Sequence, residues 1–231
     1  MGMDMFAQFA GTASLWALPI LLAITLHEAA HGWVAWKLGD DTAYRLGRVS
    51  FNPFRHVDGM GTILIPALLI VARAPFLFGW AKPVPINFNR LGNPRRDMVL
   101  VAAAGPAANL GLAVISALLF HIVPALPESS QLWTARNLSN SMMLNIVLAV
   151  FNMLPLPPLD GGRVAVGLLP PAFSRPLAKL ERHGLFIIVG VIFILPTVGR
   201  TLGFDLDIFV WIVLEPAKFL ARTIAELTGA R

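Results

Sequence analysis

The segment LAITLHEAAHGWVAWK carries two histidines, His27 and His31, four residues apart, with Glu28 directly after the first. On a helix, residues i and i+4 stand one above the other on the same face, so both imidazoles can reach a single metal ion. Glu28 adjoins the first imidazole and can accept a proton from a water held at that ion. This is the HExxH arrangement of zinc hydrolases. In a chain of 231 residues with this His and Glu content, chance produces it roughly 0.002 times. A purely structural alternative, three polar groups hydrogen-bonded between helices, leaves costly ionisable residues in an apolar segment without a chemical reason.

A catalytic zinc takes three protein ligands and keeps one position open. The second segment with chemical potential is NIVLAVFNMLPLPPLDGGRV, where an apolar run meets Pro155, Pro157 and Pro158 and then Asp160, Gly161 and Gly162. Prolines break the helix, and glycines permit close backbone approach. Asp160 is the best-placed carboxylate for a third ligand; its bland alternative is a turn residue at a helix end. The expectation is one Zn2+ per chain on His27, His31 and Asp160, with Glu28 as the catalytic acid/base. Asn109, a lone amide in an apolar run, has two readings: a donor to a tetrahedral oxyanion, or an interhelical hydrogen bond. Asn152 has the same two. His56 and Asp58 lie in a loop, where a catalytic or second-metal role for His56 competes with capping or solvation. His121 is expected near the outer end of its helix and His183 in a basic cytoplasmic stretch, so neither reaches an inner-face site.

The elements that must position these residues are membrane elements. Hydrophobic residues make up 56% of the chain and charged ones 13%, with a mean hydropathy of +0.70. A soluble domain needs about twice that share of charge, and a disordered chain has far less apolar content. With no cysteine there is neither a disulfide framework nor a thiolate metal site. The leading MGMDMFAQFAG lacks the basic region of a cleavable signal peptide. Apolar stretches cover 9–36, 61–80, 97–123, 139–163, 184–200 and 207–224, and a helix needs about 20 such residues to cross the bilayer core.

Of the 18 Lys and Arg residues, 16 fall in 37–60, 73–97, 163–183 and the C-terminal tail, and 2 in 124–138 and 199–207. Basic residues accumulate on the cytoplasmic side. The N-terminus is then outside, the C-terminus cytoplasmic, and 61–80 starts and ends on the same side. That stretch also contains Pro66, Arg73, Pro75 and Gly79. The predicted fold is an all-α polytopic membrane protein with about five transmembrane helices plus a re-entrant or membrane-dipping loop over 61–80, or a small β-hairpin there. It is expected to form a single integral-membrane domain over 1–231. The net charge of +5 then serves topology and contact with anionic lipid rather than nucleic acid. Lys37 marks the inner boundary ten residues after His27, which puts the metal site roughly 15 Å inside the membrane.

Taken together, HEAAH at 27–31, FNPFRHVDGMG at 51–61, GWAKPVPIN at 79–87, AGPAANL at 104–110 and NMLPLPPLDGG at 152–162 resemble the site-2 protease family of intramembrane zinc metalloproteases. The resemblance covers most of residues 10–165 and points to the small subgroup without a PDZ domain. It implies a catalytic core over about 10–165, accessory helices over about 184–224, and cleavage of single-pass membrane protein substrates near the cytoplasmic face. It also implies His27, His31 and Asp160 as ligands and Glu28 as acid/base, and it favours Asn152 as a contact to substrate backbone. The GWAKPVPIN loop is expected to offer an extended edge beside which an unwound substrate pairs as a strand. The rival class is a metal-binding membrane protein or metal transporter using the same His/Asp cluster. Such a protein has no need of Glu28 beside a ligand or of an open coordination position.

Overall fold

The computed structural model describes residues 2–71 and 79–230. Among them all regular structure is helical. The first helix, α1 (Gly2–Lys37), has 36 residues with Pro19 inside it and carries HEAAH in its C-terminal half. At its end the Lys37 ammonium lies 4.6 Å from the centre of the Trp36 ring, which stacks on Tyr44 at 4.3 Å. Basic and aromatic side chains gathered at a helix end are characteristic of a membrane–water interface.

After the single turn α2 (Thr42–Arg45), a 3-10 turn at Pro53–His56 and a wide π-type turn at Gly59–Leu64 lead into α3 (Ile65–Val71). Both turns have side-chain caps. Asn52 accepts the Phe54 N–H at 3.0 Å, and Asp58 accepts the N–H groups of Met60 and Gly61 at 3.0 and 2.7 Å. Residues 79–87 run without regular structure to α4 (Pro94–Leu119), which opens on an Asn93 cap with proline at its first position. Then follow α5 (Glu128–Asn152), α6 (Asp160–Leu168), α7 (Pro171–Lys179) and α8 (Glu181–Val189). A π-type turn joins α8 to α9 (Leu195–Thr201), and another leads into α10 (Glu215–Thr228).

Among the described residues, three helical stretches are long and apolar enough to cross a membrane: Ala10–Lys37, Pro94–Ala125 and Glu181–Thr201. The other two expected spans take a different form. The apolar stretch 139–163 is not one helix, because α5 ends at Asn152 and the chain turns before α6 begins at Asp160. Its helix starts further back and has Asn137, Ser141 and Asn145 on one face, four residues apart. The stretch 207–224 enters α10, where Glu215, Lys218 and Arg222 make one face polar. Of the expected re-entrant 61–80, the first part is the π-type turn and α3, residues 72–78 lie outside the described residues, and 79–80 begin the irregular segment. No β-hairpin occurs among the described residues.

Central to the packing is α4, which lies against α1, α5 and α6. The contact surfaces are lined by small residues, including Ala23, Ala102, Ala113, Ala117 and Ala149, all buried. Small side chains let helix backbones approach closely, the usual device where lipid removes the hydrophobic drive for helices to associate. Asn109 and Asn145 are fully buried, whereas Leu18, Leu21, Ile115, Leu118, Phe186 and Trp211 are exposed. Polar residues inside and large apolar residues outside reverse the soluble pattern.

Candidate metal centre

His27 and His31 project from one face of α1 toward α4. The Nδ1–H of His31 donates to the Val101 carbonyl at 2.7 Å. The Nδ1–H of His27 donates to Asn109 Oδ1 at 2.6 Å. That orientation of the Asn109 amide follows from its other end, where Nδ2 faces two acceptors, the Ala23 carbonyl at 3.2 Å and Asn145 Oδ1 at 2.7 Å. With both protons on Nδ1, each Nε2 presents a lone pair. The two Nε2 atoms are 3.0 Å apart, and Asp160 Oδ2 lies 3.2 and 3.3 Å from them.

Three acceptor atoms this close with no proton among them repel one another unless a cation lies between them. Ligands about 2.0–2.1 Å from a tetrahedral zinc are separated by about 3.3–3.4 Å, close to what the three atoms adopt. Asp160 Oδ2 is buried and has no hydrogen-bond donor. Space for an ion is kept by Gly105 on α4, where a Cβ would overlap the Nε2 atoms of both histidines. Asp160 reaches the pair because it is the first residue of α6, immediately after the turn at 153–159. That turn closes tightly, since a Cβ on Gly161 would strike the Met153 carbonyl and one on Gly162 the Pro157 nitrogen. Burial, donor set and spacing all fit zinc.

Glu28 points to a different neighbour. Its Oε2 accepts the Val84 N–H at 2.8 Å. Pro83 and Pro85 flank Val84 and have no N–H, so the only backbone donor in 83–85 is given to this carboxylate. The rest of the segment is tied down group by group. Lys82 N–H donates to the His56 carbonyl at 2.9 Å, and Trp80 N–H to that of Gly61 at 3.2 Å. The buried Arg48 guanidinium donates to the Lys82 carbonyl at 2.7 Å, and Asn87 N–H donates to Asp40 Oδ2 at 2.6 Å. Residues 79–87 therefore form a strap held beside the candidate metal ligands.

Residues 122–197 match the profile of Peptidase family M50. YwhC of Bacillus subtilis (strain 168), named as a zinc metalloprotease, is 40% identical over 191 residues, covering 78% of this chain and 80% of that protein. The chain belongs to peptidase family M50. Rip2 of Mycolicibacterium smegmatis, also named as a zinc metalloprotease, is 31% identical over 182 residues, 78% of this chain and 66% of that protein. Rip2 of Mycobacterium tuberculosis (strain H37Rv) is 30% identical over 196 residues, 83% of this chain and 70% of that protein. No solved structure matches the chain significantly.

This M50 protease is thus a zinc metalloprotease of the site-2 protease family, and no connection among its described residues is long enough to hold a PDZ domain. Four of the residues singled out from sequence, His27, His31, Asp160 and Asn109, come together in one buried cluster, with Glu28 at its edge. Two others do not join it. His56 is 2% exposed and donates from Nε2 to the Ser50 carbonyl at 3.0 Å. Asn152 donates to the Leu148 carbonyl of its own helix at 3.0 Å. Sequence reasoning passed over Gly105, Val84, Arg48 and Asn145. Two of these carried a signal: the Pro-Val-Pro frame around Val84, and an asparagine in the middle of an apolar helix.

Proposed function

We propose that this M50 protease hydrolyses peptide bonds of transmembrane substrate helices near the cytoplasmic face. In this reading His27, His31 and Asp160 hold the zinc, and Glu28 is the general acid/base. The observation that carries it is the convergence of two Nε2 lone pairs and one carboxylate oxygen, all buried, next to a glutamate fixed by its own hydrogen bond. Zinc bound there supplies Lewis acidity toward the scissile carbonyl and acidifies the attacking water. Glu28 accepts the proton of that water and passes it to the leaving amine. The Val84 N–H fixes one carboxylate oxygen and so sets the plane in which the proton is taken.

Asn109 gives both amide protons to Ala23 and Asn145, so its part is to orient His27. Asn152, at the end of α5, is the amide we assign to substrate backbone. An apolar cavity of about 320 Å³ lies between α1 and the strap, lined by Ile20, Ile24, Thr25, His56, Trp80 and Ala81 among others. Ile24 precedes Glu28 by one helical turn on the same face, so a substrate residue near the cut can place an apolar side chain there while its backbone follows the strap. The whole chain acts as one membrane domain, core over 10–165 and accessory helices over 184–224. It crosses about five times, with the N-terminus outside and the C-terminus cytoplasmic, as the basic residues direct.

The deciding experiment uses detergent-solubilised protein and a helical membrane peptide, with and without a zinc chelator. Cleavage is expected to require zinc. Glu28→Gln should keep zinc yet cut roughly 10²–10⁴-fold more slowly. Cleavage by Glu28→Gln near the parent rate would overturn the assignment, and metal movement without cleavage would favour a transporter. Topology is checked separately with single cysteines placed at Lys82 or Arg95 in this cysteine-free chain, which should be labelled only from the cytoplasmic side.

A further inference from the structure

We propose that Asn145 is a positioning residue for the metal centre, fixing the tautomer and ring orientation of His27 through Asn109. The proposal rests on the reading of His27 as a zinc ligand. Hydrogen bonds run from α1 across α4 to α5 with every proton pointing away from the metal site. His27 Nδ1–H goes to Asn109 Oδ1 at 2.6 Å, and Asn109 Nδ2–H to Asn145 Oδ1 at 2.7 Å. Asn145 Nδ2–H goes to the Ser141 carbonyl at 2.8 Å, with Ser141 Oγ also within 3.4 Å. The Ser141 and Ser116 hydroxyls are 2.8 Å apart, and Ser116 ends the chain on the Leu112 carbonyl at 2.8 Å.

The direction of these protons decides whether His27 can bind a metal. An amide can turn over, exchanging its oxygen and its NH₂ with little change of shape. If Asn109 did so, its NH₂ would face His27 Nδ1 and force the ring proton onto Nε2, into the space a metal needs. The acceptors at Asn145 and Ala23 oppose that flip, because the turned amide would set oxygen against oxygen on both. Asn145 is in turn held by donating to Ser141. Asn109 and Asn145 are both 0% exposed, so no water can repair a mismatch, and an unpaired buried polar group is costly. A bland role for Asn145, joining α4 to α5, explains its burial but does not require its oxygen to face Asn109.

The test is a double-mutant cycle read by zinc affinity in chelator competition and by the visible spectrum of the cobalt-substituted protein, with thermal stability measured alongside. Outer-shell partners of metal-binding histidines contribute about 10–100-fold in metal affinity. Asn109→Leu is expected in that range, and Asn145→Leu at about tenfold, its lower end. Because Asn145 acts only through Asn109, the double variant should bind zinc no more weakly than Asn109→Leu alone. His27→Ala is the reference. If it binds zinc as the parent does, the metal reading itself fails. If His27→Ala loses zinc while Asn145→Leu keeps parental affinity and cobalt spectrum, or adds its full effect to Asn109→Leu, the positioning role is wrong.

Discussion

The metal cluster and the 79–87 strap meet at Glu28 but are built by opposite means. Every residue of the cluster stands on a helix: His27 and His31 on α1, Gly105 and Asn109 on α4, Asp160 at the start of α6. Its side chains orient one another, and helix packing sets its geometry. The strap has no helix and no paired strand among its described residues. Its backbone is held by Arg48, Glu28 and Asp40 and by carbonyls of the 56–61 turns. Rigid elements suit a ligand set that must not move; a segment held one hydrogen bond at a time suits a place where another chain must be admitted. Damage to the first should remove zinc, and damage to the second should slow cleavage while zinc stays.

The largest effects are expected in the cluster. Asp160→Ala leaves two imidazoles on one helix, and zinc occupancy and activity should fall together. Gly105→Val should do the same without removing any ligand, because the added side chain fills the space beside both Nε2 atoms. Metal analysis of the purified variants reads both outcomes. Full zinc content in Gly105→Val would show that the space it keeps is not the ion's.

An intermediate effect is expected where the two regions touch. Val84→Pro deletes the single N–H given to Glu28. A hydrogen bond to a charged group contributes about 1.5–3 kcal/mol, so turnover should drop about tenfold or more with zinc content unchanged. Val84→Ala keeps the N–H and should restore turnover. Arg48→Met frees the Lys82 carbonyl and should show mainly as a raised KM for the membrane peptide, since the strap would be loosened with the carboxylate contact intact. Loss of zinc in either strap variant would mean that the strap and the cluster are one unit.

What could be read from the sequence follows the same division. HEAAH places two candidate ligands and the proposed acid/base by helix periodicity alone, and the proline–glycine punctuation around Asp160 marks the turn that delivers the third candidate. The membrane character follows from composition, and the helical class follows from the lengths of the apolar stretches. The unread part is the set of long-range pairings: Asn109 with His27 across 82 positions, Val84 with Glu28 across 56, Asn145 with Asn109 across 36. Periodicity says which face a residue occupies and nothing about which distant backbone group meets it. The boundaries of α5 were obscured for a related reason. Its polar face satisfies itself against α1 and α4, so the helix extends well beyond the apolar run that signals it.

The smallest expected effect lies at the far end of the strap. Asp40 is buried just beyond the end of α1 and accepts from Thr42 N–H and Asn87 N–H at 3.1 and 2.6 Å, and from the Thr42 hydroxyl. Burial alone would raise its pKa; the donors from Thr42 and Asn87, with Arg90 nearby, outweigh it and hold the carboxyl below its usual value. A carboxylate whose pKa is depressed on folding stabilises the fold fully above its unfolded pKa of about 3.9, and that contribution is lost as pH falls through the lower folded value. The strap should therefore stay anchored at Asn87 down to about pH 4 and loosen only below it. Hydrogen exchange of the 79–87 peptide in zinc-free protein, corrected for intrinsic rates, measures this. Asp40→Asn should exchange faster at pH 5 and lose the acid-dependent step, because its amide cannot ionise. An unchanged exchange profile in Asp40→Asn would mean that the strap is anchored by Glu28 and Arg48 alone.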